Sequence, residues 1–177
     1  MTPPRLFLIS DTHYNHINII RYCARPFANV DIRRWNDIVA PTDHIIHLGD
    51  FVMGQRVPKL DAIASQLHGH ISLILGNHDH FTTAQYLKSG ITVVPSGWLQ
   101  SFLPGPLTDA LPPIWLSHYG GSLTPALPPS AYWLHGHSHN ATRFTTGGRI
   151  CNVSCEHTDY APITPQAVID RYARETV

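Results

Sequence analysis

Short apolar runs recur along this 177-residue chain, and most of them stop at a glycine or a polar side chain. Leu6–Ser10, His44–Leu48 and Ile71–Leu75 are each rich in Ile, Leu or Phe, the pattern of buried strands. Similar runs lie at Ile91–Val94, Trp98–Leu103, Ile114–Ser117, Trp133–Leu134 and Arg149–Ser154. Between the first three the spacing becomes helical. Ile17–Cys23 predicts a short helix, and Asp31–Val39 opens on an Asp suited to cap one. Val57–Leu67 carries Leu60, Ile63, Ala64 and Leu67 at helical intervals, with Pro58 in the first turn. A last helix is expected near Pro165–Arg174. The first half thus alternates strand and helix and the second is mostly strand, which predicts one mixed α/β layered domain over 1–177. Proline clusters at 104–113 and 125–129 read as loops within it.

Composition narrows the class. Lys and Arg total 12 and Asp and Glu total 12, so the formal net charge is zero. Lysine occurs only at 59 and 88, a poor footprint for long duplex nucleic acid, whose phosphates call for a basic surface. No apolar run approaches the length of a membrane span. The apolar stretch Leu6–Ile9 is too short for a signal peptide. Three cysteines at no framework spacing point to a reducing compartment, so a cytoplasmic protein is expected. Histidine is the outlier: its 13 copies outnumber either charge class.

These histidines cluster where the predicted strands end. Leu6–Ser10 runs into Asp11-Thr12-His13, and His44–Leu48 into Gly49-Asp50. Ile71–Leu75 runs into Gly76-Asn77-His78-Asp79, Ile114–Ser117 into His118, and Trp133–Leu134 into His135-Gly136-His137-Ser138-His139. Sites in open α/β sheets gather in the crevice outside the carboxyl ends of the strands. If these segments stay extended, Asp11 and His13 share a direction, as do His137 and His139. Gly49, Gly76 and Gly136 are expected to supply tight turns. Oxygen and imidazole donors together suit Mn, Fe, Zn, Ni or Co. Seven such donors exceed the three protein ligands of one catalytic zinc, whereas two metals sharing a carboxylate accommodate them.

The ordered blocks Asp11-x-His13, Gly49-Asp50, Gly76-Asn77-His78-Asp79, His118 and Gly136-His137-x-His139 resemble the calcineurin-like metallophosphoesterases. The segments Asp11–Ile20, Arg25-Pro26-Phe27, His47–Phe51 and Asn152-Val153-Ser154 are similar to a small phage and bacterial branch of that family. The resemblance implies a four-layer αββα sandwich. It implies that Asp11, His13 and His139 bind one divalent metal, that Asn77, His118 and His137 bind a second, and that Asp50 bridges them. Manganese is the expected ion. His78 is implied to be catalytic at the leaving oxygen, with Asp79 orienting its ring. Tyr14, His16, Arg21 and Arg25 are candidates for contacting substrate or orienting ligands; His135 is a weaker one.

The activity so implied is hydrolysis of a phosphate ester by a hydroxide activated by two metals, foremost on phosphodiesters of small nucleotides or similar compounds. Phosphomonoesters, phosphoproteins and nucleic acid ends are alternatives on the same site, and a non-catalytic metal-binding scaffold is an alternative of another class. A β-lactamase-like reading of the triple-histidine segment fails because Asn140-Ala141 follow it in place of Asp-His. Gly120, where many relatives carry proline, predicts a looser loop after His118.

Overall fold

The computed structural model describes residues 3–27, 29–54, 56–120, 127–141 and 149–175. Strands β1 (Leu6–Ile9), β2 (His44–His47), β3 (His70–Ile74) and β4 (Thr92–Val94) form a parallel sheet in that order. Its crossovers carry helices α1 (Ile19–Tyr22), α2 (Ile32–Ile38), α3 (Val57–Ala64) and α4 (Thr83–Lys88). A second sheet has the order β5 (Gly97–Trp98), β6 (Ile114–Ser117), β7 (Tyr132–His135) and β8 (Ile150–Asn152), with only β5 antiparallel to its neighbour. Helix α5 (Leu99–Phe102) follows β5, and α6 (Pro165–Glu175) ends the described chain. The mixed α/β class expected from the sequence is what the structure has.

Alternation along β1 divides the core. Phe7 and Ile9 pack with Trp35, Leu60, Ile63 and Tyr86 from the helices. Leu6 and Leu8 pack with Leu116 and Leu134 of the second sheet. Ile45 and Ile46 on β2, and Leu73 and Ile74 on β3, split the same way. The first sheet therefore lies between a helical layer and the second sheet, buried on both faces as parallel sheets are. The sheets are also stitched at β1, where Ser10 bridges Ser154 in parallel and Leu8 pairs with Ile163. This seam brings the carboxyl ends of β1 and β8 side by side.

Three local readings change. Trp98–Leu103 is not a strand: after Trp98 the chain turns into α5. Leu99, Phe102 and Leu103 sit three and four residues apart, a helical spacing, and all three join the core between the sheets. Helix α4 was not anticipated, although Thr82 and Gln85 form a reciprocal capping box at its start. α1 and α3 are shorter than their apolar patterns, with Leu67 still packing in the core from the turn beyond α3. Asp31 caps α2 as expected, its carboxylate accepting from the Arg33 amide at 2.9 Å. Of the loop at 125–129, residues 125 and 126 lie outside the described residues, as does the chain just after Gly120. Among the described residues no helix is long and apolar enough to cross a membrane.

Candidate metal centre

The segments past the strands do not stay extended. Asp11 and His13 have φ of 57° and 48°, Asp50 57°, His137 68° and His139 42°, all left-handed. Alternating conformations, not a continued strand, therefore aim Asp11 and His13 inward. Thr12 between them turns away, donating to the Phe51 carbonyl at 2.8 Å and meeting His47 Nε2 at 3.0 Å. Sparsely populated backbone states of this kind cost about 1–3 kcal/mol each and persist where the surroundings over-determine them. Here the β1–β2 ladder continues past both strands: His13 donates to the Asp50 carbonyl at 2.9 Å and Tyr14 to that of Phe51 at 3.0 Å. Of the three glycines expected to turn the chain, only Gly49 has positive φ, at 97°. Gly76 and Gly136 are needed for clearance instead, since a Cβ would overlap Asp50 at the first and Ser10 and Asp11 at the second.

Two donor groups form. Asp11, His13 and His139 bring one donor atom each within 4.8 Å of one another, and so do Asp50, His118 and His137. Asp50 Oδ2 sits between the groups, 3.3 Å from His13 Nε2 and 3.6 Å from His118 Nε2. The exposed Asn77 joins the second group, its Oδ1 at 3.1 Å from His118 Nε2. All seven sequence-predicted donors are thus brought together.

The donors are braced unequally. Asp11 is fully buried; its Oδ2 accepts from Ser154 Oγ and from the His137 amide, both at 2.9 Å. His139 Nδ1 lies 3.0 Å from Glu156 Oε1, which also accepts from Arg25 Nε at 2.7 Å. The guanidinium of Arg25, a residue 3 % exposed overall, donates further to the carbonyls of Asp11 and Thr12. Arg25 is thus engaged with Glu156 and the Asp11 loop and is not among the residues lining the cleft. Glu156 was missed. A signal existed: glutamate occurs only at 156 and 175, and Glu156 follows the predicted strand Arg149–Ser154. Cys23 also lies near Glu156 and His139, but the Arg25 cation already occupies that carboxylate, and burial pushes the Cys23 thiol up to about 11. In the second group, His118 Nδ1 meets the Leu48 carbonyl at 2.7 Å.

His78 borders the cleft, its amide donating to Asp50 Oδ1 at 2.8 Å and its ring 5.3 Å from that of His13. Asp79 does not orient this ring. Its carboxylate accepts instead from the amides of Asp50, Phe51 and Gly76 and from Tyr86 Oη, at 2.7–3.0 Å. Four donors leave it no lone pair for His78, and it staples the β2 and β3 loops together. Tyr14 does not line the cleft either: it is fully buried, with its ring against Phe51. Arg21 is exposed on α1 and outside the cleft lining, whereas His16 belongs to that lining. The buried His135 gives Nδ1 to the Gly136 carbonyl at 2.8 Å and orients no donor. The cleft measures about 480 Å³ and also takes in Ile19, Tyr22, Met53, Asn77, His137 and His139.

The donors fit divalent cations. Both ring nitrogens of buried His13 lack a hydrogen-bond partner, an arrangement that costs free energy when nothing binds them. A neutral His118 that donates Nδ1–H to Leu48 turns its Nε2 lone pair toward Asn77 Oδ1 and Asp50 Oδ2, so electron pairs converge with no proton between them. Burial pushes His13 well below the ordinary imidazole value and lowers His137 as well, favouring the neutral form that ligates metals. Burial also tends to raise the Glu156 carboxyl, but the His139 hydrogen bond and the Arg25 charge outweigh it and hold it at about 2. That carboxylate and the charge of Asp11 raise His139 against the effect of burial.

The fold and its clustered donors define an α/β protein with a candidate binuclear metal centre at the carboxyl ends of its strands. No protein-family model matches the sequence. Over 88 residues it is 42% identical to the uncharacterized protein MJ1445 of Methanocaldococcus jannaschii, covering 46% of this chain and 50% of that protein. The chain thus spans about half the length of this curated relative. Its structure is similar to that of AQ665 from Aquifex aeolicus, a protein of unknown function, with TM-score 0.63 and 23% identity over 96% of this chain and 99% of that one. This likeness shows a shared fold. A novel archaeal phosphodiesterase has TM-score 0.48 at 18% identity over 84% of this chain and 81% of its own. Pseudomonas putida nuclease MPE has TM-score 0.39 at 20% identity over 76% and 62%.

Proposed function

We propose that the chain is a metal-dependent phosphoesterase that hydrolyses phosphodiesters of small nucleotides or similar compounds, a single 1–177 domain of the calcineurin-like αββα type. The observation that carries this reading is the position of Asp50 Oδ2 between two imidazole nitrogens, at 3.3 and 3.6 Å, one from each donor group. A carboxylate so placed suits two cations, and phosphoryl transfer is the chemistry such a pair serves. Asp11, His13 and His139 would hold one ion, Asn77, His118 and His137 the other, and Asp50 both. Bound divalent ions, of which Mn is the expected one and Fe, Zn, Ni or Co suit the same donors, would supply Lewis acidity and an activated water.

The chain's own residues do the rest. The Asp11 and His118 networks keep the donors aimed before substrate arrives. His78 is pinned at its amide by Asp50 and faces the cleft, where its ring delivers a proton to the leaving ester oxygen. The substrate is a small phosphate ester rather than a long duplex, in line with the zero net charge. The free, buried thiols of Cys23, Cys151 and Cys155 support a reducing, cytoplasmic setting. The test is turnover of aryl phosphate diesters and monoesters by chelator-stripped protein reloaded with each of the five metals. Diester turnover restored by Mn is expected. Metal binding with no turnover of any ester would leave the non-catalytic scaffold as the correct reading.

A further inference from the structure

Two exposed aromatic rings stand at opposite ends of the candidate centre. Tyr22, 73% exposed on α1, lines the cleft with its ring 5.8 Å from His16, whose ring is 5.4 Å from His13 of the first donor group. Tyr119, 53% exposed, lies 4.6 Å from the ring of His137 and 4.9 Å from that of His118, both of the second group. Single exposed apolar residues need no explanation. Tyr119 packs on donor histidines directly and Tyr22 reaches them through His16, so with Asp50 between the groups the pair has a shape that a substrate can match.

We infer that Tyr22 and Tyr119 are stacking platforms for the two ester arms of the substrate, so that the substrate is a compact diester carrying a planar aromatic group, of the nucleobase kind, on each arm. A phosphorus held beside Asp50 has two ester oxygens leading outward, one past His13 and His16 toward Tyr22, the other past His118 and His137 toward Tyr119. A monoester has one arm and uses one ring. Charge sets the size. No Lys or Arg is among the described residues that line the cleft, so the flanking phosphates of a longer strand find no cation there. Ile19, Met53 and Tyr22 contribute apolar surface to the same lining. Stacking of a base on an aromatic side chain tolerates any base, because each presents a π face.

The inference rests on the phosphoesterase reading, and the test separates the two. Mn-loaded wild type, Tyr22→Ala, Tyr119→Ala and the corresponding Phe variants are compared on a dinucleotide of two thymidines and on thymidine methyl phosphate, which keeps one ring. Each Ala substitution is expected to raise KM for the dinucleotide roughly 5- to 150-fold with kcat little changed, the scale of one lost base stack. Phe at either position restores KM. On the one-ring diester only one of the two Ala variants raises KM. Both rings are exposed, so the variants are expected to fold, which thermal melting checks. Dinucleotide KM values within about twofold of wild type in both Ala variants, with hydrolysis intact, overturn the stacking assignment. A dinucleotide KM at least about tenfold above that of a ten-residue thymidine strand overturns the compact-substrate part. Wild type that cleaves no phosphate ester, diester or monoester, with any metal sinks the phosphoesterase reading itself.

Discussion

The two donor groups differ in what stands behind them. Asp11, His13 and His139 are backed by buried charge: Glu156 meets His139 Nδ1, Arg25 holds Glu156, and Arg25 also seizes the backbone at Asp11 and Thr12. Asp50, His118 and His137 have a backbone carbonyl behind His118, and they open to solvent through His137 and Asn77. The groups are also cross-tied, because Asp11 anchors the amide of His137 and Asp50 anchors that of His78. Partners behind a ligand fix its tautomer and raise its affinity, and losing one typically costs 10–100-fold in metal binding. On the proposed two-metal reading, one tight site and one exchangeable site are expected. Limited chelation should remove one metal equivalent well before the second.

The largest effect is expected where the groups meet. Asp50→Ala removes the oxygen between them and the anchor of the His78 amide, so binuclear occupancy and turnover should both be lost. Metal analysis showing two tightly held ions in that variant would refute the shared role of Asp50. His78→Ala comes next. It leaves every donor in place, so metal content should stay at wild type while kcat falls by about 10²–10⁴, the usual contribution of a positioned acid. If metal content falls with the rate, His78 belongs to the donor set and is not a separate acid.

What could be read from the sequence follows the range of the interactions. The strand ends were legible because an apolar run and the polar group after it are adjacent in the chain, and the donors all come from such junctions. Their manner of convergence was not legible. Asp11 and His13 converge through left-handed backbone, which no spacing rule anticipates. Asp79 took its expected role from the resemblance and Tyr14 from adjacency to His13, yet the Asp79 carboxylate is spent on backbone amides and Tyr86, and Tyr14 is buried against Phe51. The brace was illegible for another reason: Arg25 and Glu156 are 131 positions apart, and only the seam between the sheets brings them together. Trp98–Leu103 shows the local limit, since a short apolar run fits a strand or a buried helix turn equally.

Glu156→Gln tests the asymmetry directly, with a smaller effect. It keeps the shape of the side chain and removes its charge. The tight metal equivalent should weaken about 10–100-fold while the other holds. Equal weakening of both would erase the distinction between the groups. The substitution also leaves the Arg25 cation buried without its partner, a loss that commonly costs about 3–5 kcal/mol.

The acid side of the stability profile gives the finest measure. The Glu156 carboxyl is held at about 2 against an ordinary 4.5, so its contribution is complete above pH 4.5 and disappears as the pH falls through about 2. That contribution is on the order of 3 kcal/mol in metal-free protein. Denaturant melts of stripped wild type and Glu156→Gln should therefore differ most near neutrality and converge between pH 4.5 and about 2. Curves that stay parallel across that window would mean that Glu156 carries no such depressed proton affinity. The brace would then act through shape alone, and the first donor group would hold its ion no more tightly than the second.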